Sequence, residues 1–487
     1  MNRAVAYSSL VFSRKNDTFS RLTHYKVKTM KILKILILQA FWYLSVVYGH
    51  LYQSPILVAA ILLVVANFII YKPQISKGHY IFTLLIFVTY GVFQEWLYKK
   101  IGLVDYGQDS FPLWLTSLYF VFITYYGDVF NYLSKKSSLL LFVLGAAGGL
   151  SAYYGGVNIS PIEVISPVYY FAIALSWGIF FPISFKIFYE GFIWNKILDA
   201  SIYYSFDKIG YLRHEAKFDE KYEFISGAHA LITGGTSGIG LAASLELSEQ
   251  GVLVQVTGRN INKGNSAVAS HEGITFIPWD MSDWEQIENV VDSTPLLDYV
   301  VLNAGGMPQN YEKNKAAVEL QFASQLFGHY YLIKKLKIKN KLKKNARIVW
   351  VTSGGMYLSK LNLETIFDNP NYDKVTTYAN VKRAQVTLLP HLKEEFCDQT
   401  VTAMHPGWAA TPGVSNSIPE FDKKMQGRLR SPLQGADTIL WLLGTKKEVI
   451  SGGFYFDRKK VKTNLIWFTR PTNKQRLKLI ELLNRFL

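Results

Sequence analysis

The sequence predicts a multi-pass α-helical membrane domain followed by an α/β domain built on a doubly wound parallel sheet. Three observations carry that expectation. Residues 32 to 185 are a string of apolar runs, whereas residues 215 to 487 have an ordinary mixture of residue types. Short β-branched runs in the second half alternate with segments of helical spacing. The first of those runs leads into a glycine cluster, TGGTSGIG, that opens a helix. At 487 residues the chain also exceeds one ordinary core, which makes several domains the starting expectation.

A spanning helix needs about 20 mostly apolar residues. SPILVAAILLVVANFIIY (54–71) meets this with no charge, and residues 137–156 and 165–185 follow closely. Three weaker runs each hold one charge: Lys34 in 32–49, Glu95 in 79–98 and Asp128 in 111–133. Lys34 can snorkel from its end. Glu95 and Asp128 lie near the ends of their runs, where a structural or interfacial role is expected, with a buried functional site as the alternative. Six spans are expected, packed closely where GAAGG (145–149) removes side chains.

The net charge of +16 belongs to this membrane reading, because basic residues crowd around the apolar runs. Arg3, Arg14, Lys15, Arg21, Lys26 and Lys28 precede the first run, Lys72 and Lys77 follow the second, and Lys135 and Lys136 precede the fifth. Lys99 and Lys100 oppose them, with Asp105 and Asp109 beside them. The pattern argues against a nucleic-acid partner and, with an even number of spans, leaves the C-terminal half in the cytoplasm. The first apolar run lacks a small-residue cleavage site, and no cleaved signal peptide is expected. One cysteine, Cys397, excludes an intrachain disulfide and a cysteine-based metal site, and it reads as a small core filler.

The organisation expected is a basic cytoplasmic arm (1–30), a membrane domain (31–187), an amphipathic linker (188–226) and a nucleotide-binding domain (227–487). The linker either lies on the membrane surface through Phe192, Ile193, Trp194 and Ile197 or packs against the soluble domain. Both remain open from the sequence.

In the soluble half, HALITGG (229–235), GVLVQVTGR (251–259), ITFIPWD (274–280), LDYVVLNAGG (297–306), RIVWVTS (347–353) and VTAMHPG (401–407) read as buried parallel strands. GGFYFD (452–457) reads as a seventh. In the first turn Gly234, Gly238 and Gly240, with Thr236, Ser237 and Ile239 between them, let the backbone approach a pyrophosphate at a helix start. The end of the second strand has no acid to take ribose hydroxyls. Arg259 stands there, with Lys263 nearby, and favours the 2′-phosphate of NADP over NAD. Asp280 ends the third strand, where it either receives the adenine amino group or caps the helix begun by SDWEQ.

Tyr378 and Lys382 share a helical face in TTYANVKRAQ, and Ser353 ends the fifth strand at the edge where open sheets bind ligands. That trio suits alcohol–carbonyl chemistry. An alkoxide needs a proton, a phenol near pKa 10 is poorly matched to give and take one, and a neighbouring ammonium is expected to lower that value. Lys382 can also hold the nicotinamide ribose, and Ser353 can polarise the substrate oxygen.

TGGTSGIG, NAGG (303–306), VTS (351–353), YANVK (378–382) and HPGWAATPG (405–413) occur in an order that resembles the short-chain dehydrogenase/reductase family over about residues 225–460. The resemblance implies a Rossmann fold, Tyr378 as general acid/base, Lys382 tuning it, and Ser353 orienting substrate. It further implies that Asn303, followed by Ala304 and Gly305, supports the cofactor pocket. The segment with Pro406 and Gly407 would close the nicotinamide side, and Thr411 would reach the carboxamide or phosphate. SGGMYLSKLN (353–362), YANVKRAQV and MHPGWAATPGV (404–414) look like the dehydrogenase/reductase member 12 subgroup, near the retinol dehydrogenase-like enzymes. One position departs: Gln325 stands where the family expects an asparagine, and its longer side chain either braces the lysine through water or leaves the proton relay weakened and turnover slow. In the first half, LQAFWYLSVVYG (38–49), FPLWLTSLYFVF (111–122) and GAAGGLSAYYGG (145–156) resemble an uncharacterised family of bacterial inner-membrane proteins.

No metal site is expected, since neither His329 nor His405 sits in a ligand spacing. Residues Val414 to Arg430 form a natural lid. In the last helix Leu477, Ile480, Leu483 and Phe486 pack on the sheet or touch lipid. The function expected is NADP(H)-dependent interconversion of an alcohol and a carbonyl on a lipophilic substrate from the bilayer, with a homo-oligomer left open. The rival is a catalytically weak cofactor-sensing module coupled to the membrane bundle or a transporter.

Overall fold

The computed structural model describes residues 31–70, 77–107, 112–189 and 191–487. The basic arm, Lys72, Asp109 and the Asp128 side chain, singled out above, lie outside the described residues. The chain divides into two compact units at Ile197/Leu198.

The first unit is helical. Its helices are α1 (Lys31–Tyr48), α2 (Gln53–Ile70), α3 (Lys77–Lys100), α4 (Leu113–Val129), α5 (Ser138–Asn158) and α6 (Val168–Phe188). A two-residue antiparallel pair joins β1 (Val104–Asp105) to β2 (Glu163–Val164). Four helices, α1, α3, α5 and α6, are long and apolar enough to cross a membrane, while α2 and α4 are shorter apolar helices. α5 meets α6 through its glycines: a Cβ on Gly145 would lie 2.5 Å from that of Phe181, and one on Gly149 would lie 2.6 Å from the Trp177 ring. Glu95 departs from the interfacial expectation. It is fully buried, and its carboxylate accepts hydrogen bonds from the hydroxyls of Tyr106, Tyr119 and Tyr153 and from the Gln94 amide. Buried donors draw the carboxylate inward in place of water.

The second unit opens with the end of α7 (Phe192–Ala200), then α8 (Ile202–Phe206) and α9 (Lys208–Glu215). An eight-stranded sheet follows in the order β10-β9-β8-β7-β6-β3-β4-β5. The strands are β3 (His229–Thr233), β4 (Leu253–Gly258), β5 (Ile274–Pro278), β6 (Leu297–Leu302), β7 (Leu342–Val351), β8 (Thr400–Met404), β9 (Phe454–Phe456) and β10 (Lys459–Lys460). All seven strands read from the sequence are present and parallel; the short β10 adds an antiparallel edge. β3 and β6 are buried almost throughout, which is why they read as uninterrupted apolar runs.

The helices between strands are α10 (Gly238–Glu249), α11 (Ile261–Val268), α12 (Ile287–Asp292), α13 (Leu320–Phe322), a π-helical segment (Ala323–Phe327), α14 (Gly328–Ile338) and α15 (Lys374–Glu395). α16 (Pro412–Ser417), α17 (Pro419–Lys424), α18 (Pro432–Gly444) and α19 (Asn473–Asn484) complete the order. They cover both faces with separate apolar cores. In α19 Leu479, Leu482 and Leu483 are buried, and Ile480 and Phe486 pack on the same core, whereas Leu477 is exposed. Cys397 corrects the sequence reading. It is exposed just beyond α15, where the chain has left the core.

Residues 198–226, expected as a linker, pack within this unit. Phe206 joins the core on one sheet face, and Tyr222 and Phe224 pack against the other. The stretch mixes aromatic and charged residues, a pattern that suited the membrane surface and the soluble domain equally.

Candidate active site

The parallel strands bring the C-terminal ends of β3, β6, β7 and β8 along one sheet edge, and the candidate residues collect there. Gly234 and Gly238 adopt left-handed φ of 67° and 56°, which the turn out of β3 requires. A Cβ on Gly240 would overlap the Gly234 carbonyl and the Asn303 amide, and one on Gly234 would lie 2.8 Å from the Ala304 Cα. Only a bare backbone fits. Ser237 begins α10 without capping it by its own side chain, so the first-turn N–H groups face the turn. The Thr236 side chain lies by Gly258 at the end of β4, 2.9 Å from where a Cβ there would stand. Ile239 packs toward Gly435 at the start of α18.

Asn303 binds the turn directly, its Nδ2 donating to the Thr233 and Gly234 carbonyls at 3.1 Å each. Behind it runs a network the sequence did not reveal. The Thr233 hydroxyl accepts from the backbone N–H groups of Asn303 (2.9 Å) and Ala304 (3.0 Å) and donates to His329 Nε2 at 2.8 Å. His329 Nδ1 donates in turn to the Gln325 carbonyl at 2.9 Å, which also accepts from Gln385 Nε2 at 2.8 Å. Burial holds His329 neutral, with a pKa near 3. Gln325 sits in the π-helical segment; its Nε2 donates to the Gly306 carbonyl at 2.7 Å, and its Oε1, beside Gly305, has no partner among the described residues. The side chain thus grips the loop after β6.

Arg259 and Asp280 come together across the ends of β4 and β5, with 4.0 Å between guanidinium and carboxylate. Arg259 is largely exposed. Asp280 Oδ1 accepts from the Ser282 N–H (2.9 Å) and hydroxyl (2.7 Å) in the turn before the helical segment Trp284–Gln286, whose N-cap is Asp283 and not Asp280. Pro406 and Gly407 follow β8; Gly407 has φ of 70° and abuts the Arg430 guanidinium. Thr411 caps α16, accepting from Val414 N, and its methyl lies 3.0 Å from where a Cβ on Gly238 would stand. The glycine turn and the loop after β8 therefore meet.

Ser353 follows the end of β7 and starts a tight turn, accepting from Gly355 N at 3.2 Å; its hydroxyl acts on the Tyr378 phenol, pulling that pKa down against the larger effect of burial. Lys382 lies one turn along α15 beneath the phenol ring, Nζ 5.2 Å from the ring centroid and 3.1 Å from the Val351 carbonyl. Burial pulls the lysine down to about 7 and pushes the phenol up to about 12. The expected lowering by a neighbouring ammonium is absent from this ligand-free geometry, because both groups are desolvated and Nζ is turned to a carbonyl.

Residues before the nucleotide fold also reach this edge. The Phe206 ring fills the space beside Gly354, next to Ser353, and its carbonyl accepts from Trp408 N (2.9 Å) and Arg430 Nε (2.8 Å). Arg430 is buried against Asp457 and the Ser205 and Asp207 carbonyls; Asp457 binds His214, which also binds Asp199. Asp207 pairs with Arg428. A lone Phe-Asp pair in SFDKIGY was the only sequence signal.

Two family models match the chain: residues 31–183 match a protein of unknown function (DUF2878), and residues 228–420 match short chain dehydrogenase. Dehydrogenase/reductase SDR family member 12 of Homo sapiens is 34% identical over 275 residues, 54% of this chain and 86% of that protein. The chain belongs to the short-chain dehydrogenase/reductase family. It carries a nicotinamide-dependent oxidoreductase unit acting on a hydroxyl or carbonyl group, behind a membrane-associated unit. Polyprenol dehydrogenase of Homo sapiens is 25% identical over 269 residues (50% of this chain, 82% of that protein). Retinol dehydrogenase 12 of Bos taurus is 29% identical over 252 residues (48% and 79%).

Proposed function

We propose that the chain is a membrane-anchored NADP(H)-dependent enzyme that interconverts a lipophilic alcohol and its carbonyl, with Tyr378 as general acid/base. The convergence of Ser353, Tyr378 and Lys382 at the end of β7, with Lys382 buried beneath the phenol ring and turned to the Val351 carbonyl, carries this reading. The glycine turn fits a nicotinamide dinucleotide, since its bare backbone leaves no room for side chains and the α10 N–H groups face outward. Such a cofactor supplies the hydride and, when oxidised, a positive charge. Gly234, Thr236, Ser237, Gly238, Ile239 and Gly240 would hold its pyrophosphate side, and Asn303, Ala304 and Gly305 would wall the pocket. Pro406, Gly407 and Thr411 would close the nicotinamide side. Arg259 would take the 2′-phosphate, with Asp280 across from it.

In reduction, the Tyr378 hydroxyl gives its proton to the forming alkoxide; in oxidation the phenolate takes it back. Ser353 donates to the substrate oxygen, and Lys382, near its neutral point, recharges the phenol and holds ribose hydroxyls. Gln325 positions the loop after β6 through Gly306. Support for an apolar substrate is the membrane unit in the same chain and the aromatic cluster Tyr203, Trp408 and Phe421 beside the loop after β8. The retinol and polyprenol dehydrogenases named above point the same way. The flanking cations support a catalytic unit in the cytoplasm, and the family matched by residues 31–183 supports a bacterial inner membrane.

The test is a carbonyl and alcohol panel on the purified full-length protein with NADPH and NADH, followed by cofactor absorbance. Tyr378→Phe should cut turnover by roughly 10²- to 10⁴-fold while NADPH binding persists. No turnover in either protein, with binding intact, would favour the sensing module instead. Turnover of small polar carbonyls alone would remove the lipophilic substrate.

A further inference from the structure

The segment that closes the sheet domain carries an apolar patch ringed by cations. Trp467 is 86% exposed, Leu465 58% and Phe468 49%. Leu358, 72% exposed, lies in the turn five residues after Ser353. These are neighbours in space as well as exposed. The Trp467 and Phe468 rings stand 5.9 Å apart, and Lys360 Nζ lies 5.2 Å over the Phe468 ring. The Tyr357 hydroxyl donates to the Lys462 carbonyl at 2.9 Å, and Gln475 Nε2 reaches the Leu361 carbonyl at 3.2 Å. Arg383 bolts the two stretches together, donating to the carbonyls of Met356, Ser359 and Thr463. The patch is therefore held on a rigid base that includes the neighbour of Lys382.

Its charge is one-sided. From Lys459 to Ile480 there are seven Lys or Arg and no Asp or Glu. Lys459, Lys460, Lys462, Arg470 and Lys360 are exposed, and none has an acidic partner among the described residues. Exposed tryptophan and phenylalanine beside unpaired lysines and arginines match a membrane interface, where rings settle at headgroup depth and cations meet anionic phosphates. A protein partner would need acidic residues around an apolar socket. A bilayer supplies both terms, and the same chain carries four helices able to cross one.

We propose that this patch docks the catalytic unit on an anionic lipid surface, with Leu465, Trp467 and Phe468 at headgroup depth and the surrounding cations on lipid phosphates. The docking stands whether or not the substrate is lipophilic. If it is, Leu358 puts the turn after Ser353 against the source of substrate.

The test uses full-length protein in vesicles of phosphatidylcholine with or without phosphatidylglycerol. Trp467→Cys in a Cys397→Ser background takes an environment-sensitive fluorophore, and native Cys397, exposed just beyond the end of α15, takes the same label as the standard for water. With phosphatidylglycerol the label at position 467 should emit to the blue and be quenched by brominated acyl chains, while the standard does neither. Lys462→Gln should lower the docked-to-undocked ratio about fivefold, and added salt should act the same way. NADPH binding by each variant reports an intact fold. Water-like emission at position 467 in both lipids would overturn the proposal. So would energy transfer between labels on separate copies without acyl-chain quenching, which would make a second copy the occupant.

Discussion

At the scale of single residues, the candidate site is a pair of groups whose burial favours the uncharged form. Lys382 near 7 and Tyr378 near 12 are both pushed by burial toward their neutral forms. The neutral phenol is the form that can give a proton, and the next positive charge to arrive beside it shifts it toward giving. Arg259 is the contrasting case, exposed and free to swing. Arg259→Ala should weaken NADPH binding by roughly 10- to 100-fold, the worth of a charged hydrogen bond to a phosphate, and leave NADH unchanged. Titration of both cofactors by fluorescence checks it; an equal loss for both would mean that Arg259 only shapes the loop. The placement of these residues was legible because each is written in a short run: a glycine cluster after a strand, a tyrosine four residues before a lysine. The Thr233–His329–Gln325 network was not, since Thr233 stands 96 positions before His329 and the two meet only once strand and helix are packed together.

At the scale of elements, seven strands could be read because parallel strands buried on both faces are uninterrupted apolar runs. α8 and α9 could not, because helices of five and eight residues that contribute a few buried rings and several ion pairs are too short to display a period. Their attachment rests on charge. Burial pulls His214 down, but its hydrogen bonds to Asp199 and Asp457 outweigh that and raise it above its ordinary 6.5. Burial raises Asp457, but His214 and Arg430 outweigh it and hold the carboxyl below its ordinary range. A raised histidine contributes stability that is complete below about 6.5 and lost as pH climbs through the folded value. A lowered aspartate contributes stability that is present above about 3.9 and lost as pH falls through its folded value. The attachment is therefore tightest in mildly acid solution. Melting temperature should decline from there toward alkaline pH, and His214→Gln should flatten that limb. An unchanged slope in the variant would show that the imidazole is not charged in the folded state.

At the scale of the whole molecule, the compact catalytic unit begins at Leu198, well before the first strand of the nucleotide fold. The consequence is a difference between two fragments. One beginning at Leu198 keeps Phe206 in the core and the Ser205, Phe206 and Asp207 carbonyls on Arg430. One beginning at Gly227 loses all of these. Removing the Phe206 ring alone is worth about 3–5 kcal/mol. Stripping carbonyls from a buried guanidinium adds about 1–3 kcal/mol for each donor left unpaired. Together they approach the roughly 5–15 kcal/mol that holds a domain folded. NADPH at a hundred times its dissociation constant restores only about 2.7 kcal/mol. The shorter fragment should aggregate or melt near ambient temperature even with cofactor, while the longer one should unfold in a single transition shifted upward by NADPH. Scanning calorimetry of the two fragments decides it: equal melting temperatures would mean that the segment before the first strand is only laid against the domain, and that the nucleotide fold stands without it.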